Sequence, residues 1–507
     1  MTQHRYNAEG YWKARQGLVA QEASLRYDAA KKLALTPLEK NASIVLARIK
    51  EQEREKTWNI ETDLETSAGM AFRGAIAKSL RETRLWDILI HMPKGALLHC
   101  HLDGAVPASW LVHEVHKHDT VIHVSAHTPM DSPLKLYTSG VAFKALPSGT
   151  RQGDIYSSSY DGSSWMSLRE ARLRFPFHSV YDPPPPGFVP GEDLPALSAS
   201  PNEDAFDAWL HSLMTMTPAP GSPPTRTTPE AWKRFMTTFG IISGFVSYEP
   251  ILRAYIREMF LVHVRDGIQY LEARLNFFEQ TYIAADAMTP LNHAQWVEIF
   301  EESLEDTKRQ LGVRSGHEEP ILFDAKIIYV TARIVSPDRL KWYLEDCLEL
   351  KRRFPQHIVG FDLVGYEDPG VPLRDYAAEL LWFQSEAQAR GLQIPFLFHA
   401  GETLGDGNRT DDNLYDALLL DTKRIGHGFS LVKHPVLIDM CIQRGVCIEV
   451  CPISNKLLRY TGSVAEHPLP VLLNRGVPVA LSNDDPCQFG NFGLSHVRDS
   501  FAFYQRF

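Results

Sequence analysis

Eight short apolar runs recur along this chain, at residues 96–101, 268–275, 321–331, 358–364, 394–399, 424–429, 446–450 and 477–482. Several are nearly continuous rather than alternating, as expected of parallel strands covered on both faces. Between them, apolar positions spaced three and four apart predict helices over 295–311, 337–353, 373–390, 411–420 and 435–444. Phe354-Pro355 and Gly391 supply stop signals for two of these. Strand and helix alternating eight times predict the α/β class and, within it, a (β/α)8 barrel.

The remainder reads differently. Residues 27–55 carry many charges around Leu33, Leu35, Leu38, Ile44, Val45, Leu46 and Ile49. This predicts a helix that packs either on its own barrel or on a second subunit. The first two runs are separated by far more than one crossover helix. Much of the gap, residues 121–228, is rich in Ser, Gly and Pro, with Pro183-Pro-Pro-Pro186 and Pro218-Ala-Pro-Gly-Ser-Pro-Pro224. Proline runs cannot join a helix or a central strand. The segment is read as an insertion after strand 1, either a loose surface excursion or a lid over the barrel mouth. A long helical pattern resumes at 229 and runs toward 264. The expected organisation is a helical extension over 1–90 and a barrel over 91–507 that carries the insertion. The closing C-terminal helix is expected to be short or truncated.

Composition narrows the function classes. Lys plus Arg is 52 against 62 for Asp plus Glu, a net charge of −10. That balance argues against nucleic acid and anionic membrane as partners. No stretch approaches the ~18 uninterrupted apolar residues of a membrane span. The N-terminus lacks the apolar core of a secretory signal. The six cysteines form no Cys-x-x-Cys pair and are read as buried thiols, pointing to a reducing, cytoplasmic setting.

The chemistry lies at the ends of the runs. His99 and His101 close the first, and residues two apart on a strand face the same way. His399 and Glu402 follow the fifth, His427 closes the sixth, and Asp484 with Asp485 follows the eighth. In a parallel barrel all strand C-termini open on one face, so these groups are expected to meet. Three imidazoles and one carboxylate suit Zn2+ and leave a position for water. Glu402, near the metal but not needed as a ligand, is a candidate general acid and base. His427 is a candidate to orient or deprotonate the water. Of Asp484 and Asp485, one would serve the metal and the other the substrate.

At these residues the chain resembles the adenosine deaminase family of metal-dependent hydrolases, and within it the adenosine deaminase-related growth factor (adenosine deaminase 2-like) branch. The resemblance rests on Met92-Pro-Lys-Gly-Ala-Leu-Leu-His99, Trp232-Lys-Arg-Phe235, Gly360-Phe-Asp-Leu-Val-Gly-Tyr-Glu-Asp368 and His399-Ala-Gly-Glu-Thr403. Arg424-Ile-Gly-His-Gly-Phe429, Glu449-Val-Cys-Pro-Ile-Ser-Asn455 and Ser482-Asn-Asp-Asp-Pro486 complete it. It implies hydrolytic deamination of adenosine or 2′-deoxyadenosine, with one zinc per chain on His99, His101, His399 and Asp484. It makes Glu402 the proton donor to purine N1 and His427 the residue positioning the attacking hydroxide. Asp485 and Gly365 would contact the purine, Asp103 the ribose, and Trp232 the pocket wall. It also implies a homodimer formed through the N-terminal helices, and raises secretion as the alternative location. Two other functions stay open: deamination of another aminopurine compound (adenine, a modified adenosine or AMP), and a non-catalytic signalling or binding protein on the same barrel.

Overall fold

The computed structural model describes residues 7–57, 83–147, 149–177, 200–216, 225, 227–278, 282–315, 322, 324–462 and 466–490. Among these, eight strands build the centre. They are β1 Gly95–His101, β2 Ile268–Asn276, β3 Asp324–Ala332, β4 Ile358–Val364, β5 His399–Ala400, β6 Arg424–His427, β7 Cys447–Val450 and β8 Val479–Leu481. They form two parallel sheets, ordered β1-β2-β3-β4 and β5-β6-β7-β8.

Two narrow seams join the sheets into a (β/α)8 barrel. At one, the Phe361 amide of β4 donates to Pro395 O and the Leu397 amide donates to Phe361 O, each at 3.0 Å. At the other, the His101 amide donates to Asp484 O at 3.2 Å and the Asp484 amide donates to His99 O at 3.3 Å. The fifth apolar run thus contributes a strand of two residues only, because Pro395 has no amide to give a ladder.

Helices alternate with the strands on the outside. Pro337–Arg353 is typical: the Ser336 side chain caps it by accepting from the Arg339 amide, and Leu340, Tyr343, Leu344, Cys347 and Leu348 are buried at three- and four-residue spacing. Lys351, Arg352 and Arg353 complement the negative end of its dipole. The pattern over 229–264 is two helices rather than one, Thr228–Val246 and Glu249–Arg265, with Tyr248 extended between them. Pro250 causes the break, since a continuous helix would set its ring against the carbonyl four residues back.

Part of the insertion is folded. Ile122–Ala126 pairs antiparallel with Val141–Ala145 and Met166–Ser167. The Phe143 ring lies 4.7 Å from that of Phe245, tying this small sheet to the helix beside the barrel mouth. Trp209, from helix Pro201–Leu213, is fully buried and donates through Nε1 to Leu136 O at 3.1 Å. Both proline runs, 183–186 and 218–224, lie outside the described residues.

At the N-terminus, helix Ala8–Leu25 buries none of its residues. Tyr11, Trp12, Leu18 and Val19 on it are exposed, as are Leu38, Ile44 and Val45 on helix Pro37–Thr57, whereas Ile49 is buried. The Glu53 carboxylate accepts from the Arg84 amide at 2.7 Å, anchoring this second helix to Arg84–His91. No described helix is long and apolar enough to cross a membrane.

Candidate active site and metal centre

The side chains that the sequence places at strand ends gather around the carboxylate of Asp484. His99 Nε2 lies 3.1 Å and His101 Nε2 3.4 Å from its Oδ1, and His427 Nε2 lies 3.9 Å from its Oδ2. The rings of His99 and His399 are 4.7 Å apart, and those of His101 and His399 are 5.3 Å apart. His99, His399, His427 and Asp484 offer ligand atoms all within 4.8 Å of one another, and His101 shares a second such set with Asp484 and Asp485. All are buried.

This arrangement has a local backbone cost. Asp484 (φ 57°) and His427 (φ 62°) both occupy the left-handed region, which non-glycine residues rarely adopt. Such strain persists where surrounding structure enforces it, typically at functional sites. Gly426 has the opposite role: a Cβ there would come within 2.9 Å of His99 Cε1 and 3.3 Å of His399 Cγ. Only a glycine in β6 lets the two imidazoles approach this closely.

Beneath the imidazoles lies a charged floor that sequence reasoning left without a role. Glu449 Oε2 is 2.8 Å from His99 Nδ1, and Asp362 Oδ2 is 2.6 Å from His399 Nδ1. Fully buried Arg274 links the two carboxylates, donating through Nε to Asp362 and through Nη2 to Glu449, each at 2.8 Å. Arg424 adds ion pairs to Glu449 and Glu272. Against the desolvation that opposes it, Arg274, the hydrogen bond from His99 and then Arg424 hold the Glu449 carboxyl well below the usual range. A carboxylate on the far nitrogen of a ligating histidine fixes its tautomer and aims the other nitrogen at the metal. The detectable signal was a charged residue inside a strand-forming run: Asp362 and Glu449 in apolar surroundings, and Arg274 beside Glu272.

The donor set fits a transition-metal cation of the zinc type. Imidazole nitrogens with one carboxylate are its preferred ligands, and the buried carboxylates behind two imidazoles complete the arrangement such sites require. Burial pushes the His101 ring down to about 3, and His399 is likewise driven well below the ordinary histidine value. Both are therefore held neutral, the form that binds metals.

Beside this centre, Glu402 is fully buried, and desolvation, followed by the charges of Asp484 and Glu367, pushes its carboxyl well above the usual range. Asp485 is pushed up in the same sense by burial and by Asp484. Asp103 is raised by burial to about 6; Asn276 Nδ2 donates to its Oδ2 at 2.8 Å. Glu402 is held from behind: its backbone amide and that of Gly401 donate to the Glu367 carboxylate at 3.3 and 3.2 Å.

These groups face a cavity of about 610 Å³. His101, Asp103, Gly365, Glu402 and Asp485 line its inner end, with Phe235 and Phe239 among its apolar walls. Trp232 lines it too, with its ring stacked on Tyr366 at 4.8 Å and its Nε1 donating to the Tyr460 hydroxyl at 2.8 Å. Gly365, at φ 108°, has open space where a Cβ would stand, leaving its backbone accessible. His99 lies beneath the wall rather than in it. A carboxyl pushed toward its protonated form, beside a metal-type donor set at the end of a largely apolar cavity, suits metal-assisted hydrolysis.

Comparison with known proteins agrees with this chemistry. Residues 221–499 match the family profile described as Adenosine deaminase. The chain is 31% identical to Adenosine deaminase 2-A of Danio rerio over 84% of its own length and 73% of that protein. It is 31% identical to Adenosine deaminase 2 of Sus scrofa over 85% of its length and 73% of that protein. To an Adenosine deaminase of Lutzomyia longipalpis it is 36% identical, over 59% of this chain and 55% of that one.

Proposed function

The chain belongs to the adenosine deaminase family of hydrolases, and on that premise we propose that it converts adenosine and 2′-deoxyadenosine to inosine and deoxyinosine, releasing ammonia, with one zinc ion per chain. The observation that carries this reading is the position of buried Glu402 and Asp485 around the His99–His101–His399–Asp484 set at the inner end of one cavity.

His99, His101, His399 and Asp484 would hold the zinc. Zinc in such a site supplies a Lewis acid and lowers the pKa of bound water to near 7. The protein's own groups do the rest. Glu402, holding its proton above the usual carboxylate range, gives it to purine N1 and so makes C6 electrophilic. Oxygen from water bonds to C6, the C6–N6 bond breaks, and the amine leaves as ammonia after taking a proton. A single carboxyl that gives and regains a proton can serve both transfers. His427, with Nε2 facing Asp484, orients the attacking water. Asp485, kept protonated by burial, donates to a purine ring nitrogen, and the Gly365 backbone contacts the same ring. Asp103 receives the ribose, and Trp232 closes one side of the pocket.

Residues 1–90 are assigned to dimerisation: the apolar side chains exposed on helices Ala8–Leu25 and Pro37–Thr57 are those a second copy would cover. The insertion over 121–228 is assigned to the barrel mouth, because the helix that follows it, Thr228–Val246, carries Trp232 and Phe235 into the cavity wall.

The deciding experiment measures ammonia release and loss of the adenine absorbance band with adenosine, 2′-deoxyadenosine, AMP and adenine, with and without a chelator. Turnover of the two nucleosides, abolished by chelation and restored by zinc, is expected. Preference for AMP or adenine, or turnover indifferent to chelator, overturns the reading.

A further inference from the structure

Asp103 receives the ribose in the reading above, and the structure gives its carboxyl a companion that the reading does not use. Asn276 is the last residue of β2 and lies two positions beyond Arg274, so its side chain shares the inward face of that strand. Phe277, the next residue, turns the other way: its ring stacks on Tyr329 at 4.2 Å and meets Trp296 at 4.8 Å, which fixes this end of the strand. His101 of β1 stands opposite Arg274 of β2, and two residues further along each chain Asp103 meets Asn276. Asn276 Nδ2 donates to Asp103 Oδ2 at 2.8 Å, and both residues line the cavity.

The pair is incomplete. Asp103 Oδ1 and Asn276 Oδ1 are buried atoms, and neither has a hydrogen-bond partner among the described residues. Buried polar atoms are nearly always paired, so two side by side at a cavity wall call for a ligand that completes them. The metal does not: neither residue belongs to the sets of clustered ligand atoms around Asp484. What completes the pair is a molecule with two adjacent groups that can each donate or accept. Hydroxyls do both, so they suit a carboxyl oxygen and either end of an amide. This holds whichever way the Asn276 amide is turned, and whether or not Asp103 carries a proton. Two neighbouring hydroxyls on a sugar ring meet the requirement, whereas a deoxy sugar leaves one atom of the pair desolvated and unbonded.

We propose that Asn276, paired with Asp103, is a specificity-determining residue that reads the 2′,3′-diol of the sugar and selects ribonucleosides over deoxyribonucleosides. This selectivity rests on the deaminase reading and ranks its two nucleosides, adenosine above 2′-deoxyadenosine. Sites built to bond a hydroxyl reject analogues that lack it, because their own polar groups are then left unpaired.

Kinetics on the zinc-loaded protein test it. The value of kcat/KM should fall from adenosine to 2′-deoxyadenosine to 2′,3′-dideoxyadenosine, by roughly 10-fold for each hydroxyl removed. Asn276→Leu should lower kcat/KM for adenosine roughly 10-fold or more and leave that for the dideoxy compound within about threefold, so that the discrimination collapses. A residue that only supports the fold would lower all three substrates together. Asn276→Ser, which keeps a small polar group, should show an intermediate discrimination and serves as the variant if the Leu protein folds poorly. Less than 10-fold discrimination across the wild-type series, or a parallel loss for all substrates in the variants, overturns the proposal and leaves the deaminase reading intact. Calorimetry with inosine and 2′,3′-dideoxyinosine, which have no amine to lose, keeps the two questions apart. Inosine should bind at least 10-fold more tightly even if no aminopurine is turned over, and a smaller difference overturns recognition of the diol.

Discussion

His399 is bound twice by one carboxylate: its backbone amide donates to Asp362 Oδ1 at 2.8 Å, and its ring Nδ1 lies 2.6 Å from Asp362 Oδ2. Main chain and side chain are thus clamped together, which leaves Nε2 a single direction in which to point. Asp362→Asn keeps the shape but loses the charge. Metal affinity should fall roughly 10- to 100-fold, as for other partners behind ligating imidazoles. Titration with a competing zinc chelator measures this, and unchanged affinity would show that the clamp does not act on the ligand.

Glu402→Gln should leave zinc content unchanged, because its carboxylate is not among the proposed ligands. The rate with adenosine should drop by roughly 10²-fold or more, since an amide cannot shuttle a proton. Near-normal turnover in this variant would remove Glu402 from the mechanism.

Acid should destabilise the fold through His263, whose ring contacts Asn483 rather than a proposed ligand. Burial pushes its ring down to about 4, while its Nδ1 lies 2.7 Å from Met259 O. Between the unfolded value near 6.5 and about 4, the unfolded chain binds a proton that the native state refuses. Stability is therefore full above pH ~6.5 and declines as pH falls through this window, by about 3 kcal/mol for this group. Replacing His263 with Asn should flatten that part of the stability–pH curve in denaturant titrations; an unchanged slope would contradict the assignment.

Light scattering should report a dimer, given the exposed Trp12, Leu18, Ile44 and Val45. Introducing Val19→Glu and Ile44→Glu together should shift the protein to monomer with its circular dichroism spectrum retained. A monomer in the unaltered protein would refute the dimer.

The barrel was legible because buried parallel strands need continuous apolar runs, and most runs reappear as strands within a few residues. The fifth differs because runs report burial, whereas a ladder also needs amides, and Pro395 has none. The split at Tyr248 was written in Glu249-Pro250 but masked by apolar spacing that stays helical on both sides. The small sheet of the insertion escaped notice since Ile122, Val124 and Phe143 bury their side chains within a segment whose overall composition is polar. At the site, strand-end histidines and aspartates stand out as polar groups closing apolar runs. Arg274, Asp362 and Glu449 sit inside the runs, where they read as interruptions; their meaning depends on partners 88 and 175 positions away from Arg274.

Asp484 closes the ring of strands and, as a proposed ligand, would offer its carboxylate to the cation at the same point. Its amide and carbonyl are stitched to β1 on either side of Cys100, while its side chain reaches the imidazoles that β1 carries. An ion gripped there would act as a rivet through the last stave and the first, so that filling the site and hooping the barrel would become one event. Stripping the metal should loosen the fold first along this joint, and any lesion that springs the joint should spill the ion before the rest of the barrel gives way.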